Sequence, residues 1–303
     1  MSTFKDQYNI ISKNISEIIP ADELVNKINT SIKRNIPLNI KFIQSYLKKM
    51  NFFLTPRGIK KASYAFRLKY DAVERPEYGY CIYEAAKLAK TLGYSKISVI
   101  ELGVAYGDGL VNIEEHVLEV EKEVGIKIEI FGFDSGVGLP KPEDYKDLPF
   151  LWKETQYAMN QEKVQKRIKR AKLIIGDIKE TVNTFFEDYN PAPIGCIFFD
   201  FDFYSSTNNA FNLFNTEERN YLPRVNCYFD DIIGTNEFVG ELRAIDDFNS
   251  NHENKKIAKI FGFSKTRIIP STWNEQIFLF HDFLHSKYND FVGLDSSGNE
   301  ASV

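Results

Sequence analysis

A chain of 303 residues, 43% of them hydrophobic and 14% aromatic, can bury a large core in one α/β domain with additions, or in two domains. Its net charge of −4 argues against nucleic acid as a partner, and no apolar run approaches the roughly 18 residues of a membrane span. The 3 cysteines lie far apart, so we expect reduced thiols and a cytoplasmic protein, and the first residues lack the apolar stretch of a signal peptide.

The first 70 residues are predicted to form a helical extension outside the main domain, which we place at 71–292, with a frayed tail at 293–303. From Lys27 to Lys69 there are 11 basic residues and no acidic one. We interpret this basic segment either as a solvated helix face or as a docking surface for an anionic or membrane-borne substrate. The second interpretation leaves peripheral membrane contact open.

A buried strand that ends in an acid and a glycine-rich turn is the organising element of the sequence. The apolar run from Ile97 to Ile100 stops at Glu101, and a helical pattern begins at Leu110, while a preceding helix ends at Gly93. The turn carries glycines with the spacing Gly-x-x-x-Gly-x-Gly, which are Gly103, Gly107 and Gly109. Such glycines can adopt positive φ and let a ligand approach the main chain. Strand, turn and helix predict the first unit of a Rossmann-like, doubly wound α/β sheet, which binds ligands at the carboxyl ends of its strands.

Polar groups also follow the second and third predicted strands. The second strand runs from Ile126 to Phe133 and ends at Asp134, which is placed to accept hydrogen bonds from ribose hydroxyls, and Ser135 opens the next loop. The third strand leads to Asp177, which we interpret as an acceptor for an adenine amino group, as a helix N-cap, or as both. Between the two strands lies a group of large apolar residues, interpreted either as part of an acceptor pocket or as a small satellite core, namely Tyr145, Phe150, Trp152, Tyr157 and Met159.

Carboxylates follow the fourth and fifth predicted strands as well. Asp200 and Asp202 follow the fourth strand, and the adjacent pair Asp230 and Asp231 follows the fifth. If these strands are neighbours, Asp200 and the adjacent pair meet at the carboxyl edge of the sheet. Three carboxylates on one side suit a hard divalent cation such as magnesium, and without one they repel, so that one stays protonated. The sequence therefore predicts a magnesium site held by Asp200, Asp230 and Asp231.

The rest of the chain is expected to complete the sheet. The remaining elements are predicted as strands at 172–175, 194–199, 225–229, 257–261 and 276–280, an ambiguous strand at 267–269, and a helix at 237–250. His281 and His285 share a helical spacing, but no third ligand is evident, so we predict surface or core residues there instead of a metal site.

Four segments of the chain follow one another in the order and spacing of a known family. They are Glu101-Leu102-Gly103-Val104 with the glycines after it, Phe133-Asp134-Ser135 with Gly138-Leu139-Pro140-Lys141-Pro142, Asp200-x-Asp202-x-Tyr204-x-Ser206-Thr207, and Asp230-Asp231 with Ala244-Ile245-Asp246-Asp247-Phe248. With them the chain resembles the macrocin O-methyltransferase (TylF-like) family of class I S-adenosylmethionine-dependent methyltransferases. Two departures, Phe201 for the usual glycine and Ile232 for the usual tyrosine, bear on the acceptor pocket and the metal geometry.

The resemblance implies an enzyme with a seven-stranded Rossmann-like sheet whose last strand is antiparallel. It implies S-adenosylmethionine as donor, magnesium as a second cofactor, and O-methylation of a sugar or glycoside. Asp200, Asp230 and Asp231 would hold the metal. Asp200 is also the catalytic candidate, acting as metal ligand, as general base toward the acceptor hydroxyl, or as both. The residues expected at the cofactor are Glu101, Gly103, Gly107, Gly109, Asp134, Ser135, Asp177 and Tyr80. The segment that holds Tyr80, with Arg75 and Tyr78, either closes over the cofactor or packs in the ordinary way.

Two other functions are compatible with parts of this pattern. Asp200 and Asp202 match the Asp-x-Asp element of metal-dependent glycosyltransferases, a function that leaves the glycine turn unexplained. A non-catalytic Rossmann-like binding protein is the second alternative, and acids at all the expected positions argue against it. We expect a small-molecule or glycan acceptor and no nucleic acid, and a homo-oligomer is left open.

Overall fold

The structure, a computed structural model, describes residues 62–293. Most of the predicted N-terminal extension, including Lys48, Lys49, Lys60 and Lys61 of its basic segment, lies outside the described residues, as does the tail after 293. The predicted domain boundaries at residues 70 and 292 therefore stay predictions.

Two compact units divide the chain. Of the first unit, the structure describes residues 62–76 and Arg267–Ile269. Within it, Arg267 donates to the carbonyl oxygen of Leu68 (2.9 Å) and forms an ion pair with Asp71 (2.6 Å). The second unit contains the sheet and every residue predicted to bind cofactor or metal.

Eight α-helices and seven β-strands lie within residues 62–293. The helices are α1 (Tyr64–Lys69), α2 (Pro76–Thr91), α3 (Asp108–Val124), α4 (Gln161–Arg167), α5 (Ile178–Tyr189), α6 (Tyr204–Ala210), α7 (Gly240–Asn251) and α8 (Phe263–Thr266). The strands are β1 (Lys96–Leu102), β2 (Lys127–Asp134), β3 (Lys172–Ile175), β4 (Ile194–Phe199), β5 (Tyr221–Phe229), β6 (Lys255–Lys259) and β7 (Ile277–Asp282).

The strands form one seven-stranded sheet with the order β3-β2-β1-β4-β5-β7-β6. The first five strands pair in parallel, and β7 is antiparallel to both β5 and β6. This confirms the predicted fold class, a Rossmann-like, doubly wound sheet with an antiparallel last strand. From β1 the chain first adds β2 and β3 on one side of the sheet and then returns to add β4 and β5 on the other side. Open α/β sheets bind ligands at such a topological switch point, here between β1 and β4.

The pairing register aligns the carboxyl ends of four strands. The residues paired side by side on β2, β1, β4 and β5 are Phe133, Leu102, Phe199 and Phe229. The residues that come next on these strands are, in the same order, Asp134, Gly103, Asp200 and Asp230. The sheet therefore brings the predicted cofactor and metal residues to one edge.

Burial explains why these residues form the central strands. β4 is buried over its whole length, and in β1 only Lys96 is exposed, as expected for parallel strands covered on both faces. Ring stacking adds to the core, with centroids 4.5 Å apart for Phe199 and Phe229. Burying one such side chain contributes about 1.5–3 kcal/mol.

Several element bounds differ from the sequence-based expectations. Among them, α7 begins at Gly240 instead of residue 237, and β7 extends to Asp282 instead of residue 280. β5 begins at Tyr221, earlier than predicted, and includes Pro223. Pro223 lies between Tyr221 and Asn226, where the pairing with β4 shifts register, and such an irregular part of a strand tolerates the missing N–H of a proline. β6 begins at Lys255 instead of residue 257. The ambiguous segment Arg267–Ile269 is irregular.

All 3 cysteines are free and buried, as predicted. None of the helices in residues 62–293 combines the length and the apolar character that crossing a bilayer requires.

Candidate active site

Three aspartates lie together at the carboxyl edge of the sheet. One carboxylate oxygen from each of Asp200, Asp230 and Asp231 lies within 4.8 Å of the other two. Asp200 and Asp231 are half-buried, and Asp230 is exposed. Within the described part of the chain this is the one group of His, Cys, Asp or Glu side chains close enough to share a metal ion. The arrangement has the oxygen ligands that magnesium prefers.

Two further acids surround this triad. Asp202 is 7% exposed, has a left-handed backbone (φ 60°), and donates its N–H to Asp231 Oδ2 (3.1 Å). Glu241 is 1% exposed and accepts the N–H of Asp231 at Oε2 (3.1 Å). Its buried Oε1 makes no hydrogen bond within residues 62–293. We call the triad with Asp202 and Glu241 the acid cluster.

Electrostatics in the acid cluster oppose ionisation. Burial raises the pKa of Asp231, and the charges of Asp202, Asp200 and Asp230 raise it further. Burial likewise raises the pKa of Glu241, with Asp231 as the next cause, and it raises the pKa of Asp202. Every charged group that shifts the pKa of Asp231 is thus another aspartate, so without a cation the cluster must hold protons.

Neutral side chains hold Asp230 in place. Tyr228 donates its hydroxyl to Asp230 Oδ1 (2.7 Å), and Gln276 donates its amide to the carbonyl oxygen of Asp230 (2.7 Å). Phe229 also donates its N–H to the carbonyl oxygen of Gln276 (3.0 Å). The strand end that carries the adjacent aspartates is therefore fixed from the β7 side of the sheet.

The glycine turn is shaped by close approach of the protein's own atoms. A Cβ on Gly103 (φ 90°) would lie 1.9 Å from the carbonyl oxygen of Asp200, and one on Gly109 would lie 1.8 Å from Glu101 Oε1. At Gly107 (φ 81°), a Cβ would lie 3.0 Å from the side chain of Val164. These contacts explain the glycine spacing by packing within the protein, whereas the sequence suggested space for a ligand. Cofactor binding at the three glycines stays a prediction.

Two acids flank the glycine turn. Glu101 is 2% exposed and accepts the hydroxyl of Tyr78 at Oε1 (3.3 Å). Asp134 Oδ2 accepts the N–H groups of Val104 (3.0 Å) and Ala105 (2.8 Å), and its Oδ1 accepts that of Gly136 (2.7 Å). Asp134 thus fixes the turn itself, a role that the sequence did not indicate, and ribose binding by Asp134 stays a prediction.

The other predicted cofactor residues have local partners. Ser135 donates its hydroxyl to the carbonyl oxygen of Gly138 (2.7 Å), which closes the loop after β2. Asp177 is the N-cap of α5 and accepts the N–H of Lys179 (2.8 Å), as one interpretation held. Their roles toward a cofactor stay predictions.

Tyr80, on α2, packs against two aromatic side chains from later segments of the chain. Its ring centroid is 4.9 Å from that of Phe263 and 5.8 Å from that of Trp273. These contacts fit the interpretation as ordinary packing, and contact of Tyr80 with a cofactor stays a prediction.

The loop between β2 and α4 is anchored beside the acid cluster. The buried carboxylate of Asp147 accepts the N–H of Glu143 (2.8 Å) and both the N–H (2.8 Å) and the hydroxyl (2.9 Å) of Ser205, at the start of α6. On this loop Tyr145 and Phe150 are 66% and 76% exposed. That exposure disfavours a satellite core for them and leaves an acceptor pocket open.

Several functional candidates could not be found from sequence. Glu241, Gln276 and Asp147 reach the site only through tertiary contacts, whereas Tyr228 lies just two residues before its partner Asp230. The position of Glu241 in the first turn of α7 was only a weak indication of function, because acidic residues are common there and usually stabilise the helix through its dipole. His281 and His285 hydrogen-bond within the protein, to the hydroxyl of Tyr288 and the carbonyl oxygen of Tyr221.

Comparison with known proteins gives a limited result. No protein-family model matches the chain, and no curated protein sequence matches it. Among solved structures, the chain is similar to the O-methyltransferase NovP, with 13% identity over 68% of this chain and 79% of that one and a TM-score of 0.49. It is also similar to CalS11, a calicheamicin methyltransferase, with 15% identity over 87% and 93% of the two chains and a TM-score of 0.43.

A third similar structure is the O-methyltransferase TomG from Streptomyces achromogenes, solved in complex with S-adenosylmethionine. The identity is 12% over 69% of this chain and 79% of that one, and the TM-score is 0.36. Identities of this size and TM-scores below 0.5 carry no argument about this chain. Its fold follows from its own strand order, and its function must be inferred from its site.

Proposed function

We propose that the protein is an S-adenosylmethionine-dependent, magnesium-dependent O-methyltransferase that acts on a hydroxyl of a sugar or glycoside. The observation that carries the proposal is that one carboxylate oxygen from each of Asp200, Asp230 and Asp231 lies within 4.8 Å of the other two. Asp200 and Asp230 directly follow the paired strand ends, and Asp231 comes one residue later. The glycine turn and Asp134 end the two adjacent strands of the same edge. A methyl donor and an activated acceptor would meet there.

The residues present fit a divalent cation. The acid cluster concentrates five carboxyl groups, burial raises the pKa of its inner members, and Glu241 Oε1 is buried without a hydrogen bond in the described residues. A buried carboxylate is costly unless it is paired, protonated or close to a cation. Asp200, Asp230 and Asp231 would hold the ion.

The residues also fit the proposed cofactor at the level of chemistry. Asp177 is exposed, and Asp134 is half-buried, with Oδ2 at the turn between β1 and α3 and Oδ1 at the N–H of Gly136 in the loop after β2. Glu101, Ser135, Tyr80 and the three turn glycines are the further residues that we assign to the cofactor. Carboxylates at strand ends are placed to accept hydrogen bonds from ribose hydroxyls.

The chemistry assigned to this chain is alignment and proton removal. When bound, magnesium supplies Lewis acidity that makes a hydroxyl more acidic, and S-adenosylmethionine supplies an activated methyl group. Asp200 accepts the proton that the acceptor hydroxyl loses. The fixed strand ends hold the reacting groups in line, which is where most of the rate enhancement is expected to arise.

The first alternative function is metal-dependent glycosyl transfer through Asp200 and Asp202. Asp202 is 7% exposed, and this burial disfavours direct contact of its carboxylate with a nucleotide sugar. A non-catalytic binding protein is the second alternative, and it gives no role to the acid cluster, in which burial and neighbouring aspartates raise the pKa of Asp231 and Glu241. A cytoplasmic location and a small-molecule or glycan acceptor belong to the same proposal.

Calorimetry and a methyl-donor assay test the proposal. We expect S-adenosylhomocysteine to bind and uridine diphosphate not to bind, and we expect methyl transfer to a member of a glycoside panel in the presence of magnesium. Addition of EDTA should abolish the transfer. Binding of uridine diphosphate without S-adenosylhomocysteine would overturn the proposal in favour of glycosyl transfer.

A further inference from the structure

Two buried tyrosines each hold one acid of the proposed sites. Tyr78 on α2 is 1% exposed and donates its hydroxyl to Glu101, beside the glycine turn. Tyr228 on β5 is 4% exposed and donates its hydroxyl to Asp230, in the acid cluster. Each hydroxyl sits at the end of a rigid ring, so the position of the ring and the position of the acid are tied together.

The rings of these tyrosines are in contact with each other and with a shared phenylalanine. Tyr78 stacks on Phe198 with centroids 4.1 Å apart and an interplanar angle of 20°. Tyr228 meets Tyr78 edge to face at 5.7 Å and lies 6.3 Å from Phe198, which is fully buried on β4. We call Tyr78, Phe198 and Tyr228 the aromatic bridge.

Because protein interiors are close-packed, a displacement of one ring must be taken up by its neighbours. Losing a buried hydroxyl–carboxylate hydrogen bond also has a substantial cost. A ligand that fixes Glu101 therefore also restricts the ring that holds Asp230, and a cation that fixes Asp230 restricts the ring that holds Glu101, so that each ligand orders the site of the other and favours its binding.

We propose that the aromatic bridge couples cofactor binding beside Glu101 to cation binding at Asp230, with Tyr78 and Tyr228 as positioning residues. The inference rests on the proposed function, since it needs both ligands. Coupling between two sites is reciprocal, so the cation tightens cofactor binding by the same factor by which the cofactor tightens cation binding. We expect a factor of about five or more, the lower end of what is usual for coupled sites.

Calorimetric titration of S-adenosylhomocysteine, with and without saturating magnesium, measures this factor directly. It is measured for the wild type, for Tyr78→Phe and Tyr228→Phe, which remove one hydroxyl each, and for Tyr189→Phe as matched control. Tyr189 packs its ring on Phe131 and Phe185 from α5, outside the aromatic bridge. The reciprocal titration of magnesium, with and without S-adenosylhomocysteine, should give the same factor.

We expect the coupling factor to fall toward one in both bridge variants and to keep its wild-type value in Tyr189→Phe. Equal thermal unfolding of the variants shows that each is folded. Phe198→Leu, which replaces the shared ring by a smaller aliphatic side chain, supplies a second test of the bridge and should lower the coupling factor as well. A wild-type factor of one, or an unchanged factor in the bridge variants, overturns the coupling and leaves the methyltransferase proposal standing. Failure of the wild type to bind S-adenosylhomocysteine at all overturns the proposed function itself.

Discussion

The glycine turn and the acid cluster occupy the same edge of the sheet, yet their carboxylates have different surroundings: hydrogen-bond donors in the first case and further acids in the second. Beside the glycine turn, Asp134 at the end of β2 accepts the N–H groups of Val104 and Ala105 in the turn and that of Gly136 in its own loop, so its charge is compensated by donors of the protein. In the acid cluster, the charged groups that shift the pKa of Asp231 are all aspartates. Asp134 thus already has donors of the protein as partners, while the acid cluster is the place where we propose that a cation binds.

The largest expected effect is on catalysis at the acid cluster. Asp200→Asn removes a general base and a metal ligand while preserving shape, so we expect methyl transfer to fall by about 10²–10⁴-fold. The measurement is the steady-state rate with the glycoside accepted by the wild type. Binding of S-adenosylhomocysteine is the control and should change little, and a variant with full turnover would contradict the assignment of Asp200.

Beside the glycine turn, we expect the loss of an acid to lower the stability of the fold. Asp134→Ala leaves the N–H groups of Val104, Ala105 and Gly136 without their acceptor, which we expect to cost about 3 kcal/mol of unfolding free energy. Urea denaturation measures the loss. The exposed Asp188 on α5 supplies the control, since Asp188→Ala should change stability by less than about 0.5 kcal/mol.

If Asp134→Ala were as stable as this control, the turn would not depend on its carboxylate, and the contrast between the two regions would fail.

The pH dependence of stability separates the regions further. Folding raises the pKa of three carboxyl groups, those of Asp231, Asp202 and Glu241. Their contribution to stability is fully present below the pKa of about 4 that such groups have in the unfolded chain, and it is lost as the pH rises through their raised folded-state pKa values. In EDTA we therefore expect the melting temperature to fall between about pH 5 and pH 8.

Magnesium should reverse that loss. At a concentration of about 100 times its Kd, a bound ion adds about 2.7 kcal/mol, and the gain should be larger at the higher pH because protons compete with the ion. Thermal melts in EDTA and in magnesium, at both pH values, check this. A gain that is equal or smaller at the higher pH would contradict an acidic cation site.

The smallest expected effect concerns Asp177, whose two interpretations can be separated. Asp177→Ala removes the N-cap of α5 and should cost about 1 kcal/mol, whereas Asp177→Ser keeps a cap and should cost little. If Asp177 also binds adenine, Asp177→Ser should weaken S-adenosylhomocysteine binding without destabilising the protein. Unchanged affinity by calorimetry would leave the cap as its only role.

Local sequence patterns were sufficient to predict the strands and the acids that end them. The apolar run before Glu101 and the run before Asp200 each read as buried strands, and both are central in the sheet. Asp177 was recognisable as an N-cap because capping depends on neighbours along the chain.

Contacts between distant segments could not be predicted from those patterns. Glu241 and Gln276 lie 10 and 46 residues from their partners in the acid cluster, and no periodicity encodes such pairs. The reason for Gly109 was also hidden, because the atom that it accommodates belongs to Glu101 on the preceding strand. Folding topology, not local propensity, decides these contacts.

The place of β7 in the sheet has a consequence for the proposed cation site. β7 pairs with β5, and Gln276 just before it donates to the carbonyl oxygen of Asp230, so a segment 46 residues further along the chain supports the adjacent aspartates. The proposed site therefore depends on a segment that supplies none of its three carboxylates. We expect chains truncated before Gln276 to lose magnesium-dependent protection from proteolysis, which limited digestion would reveal.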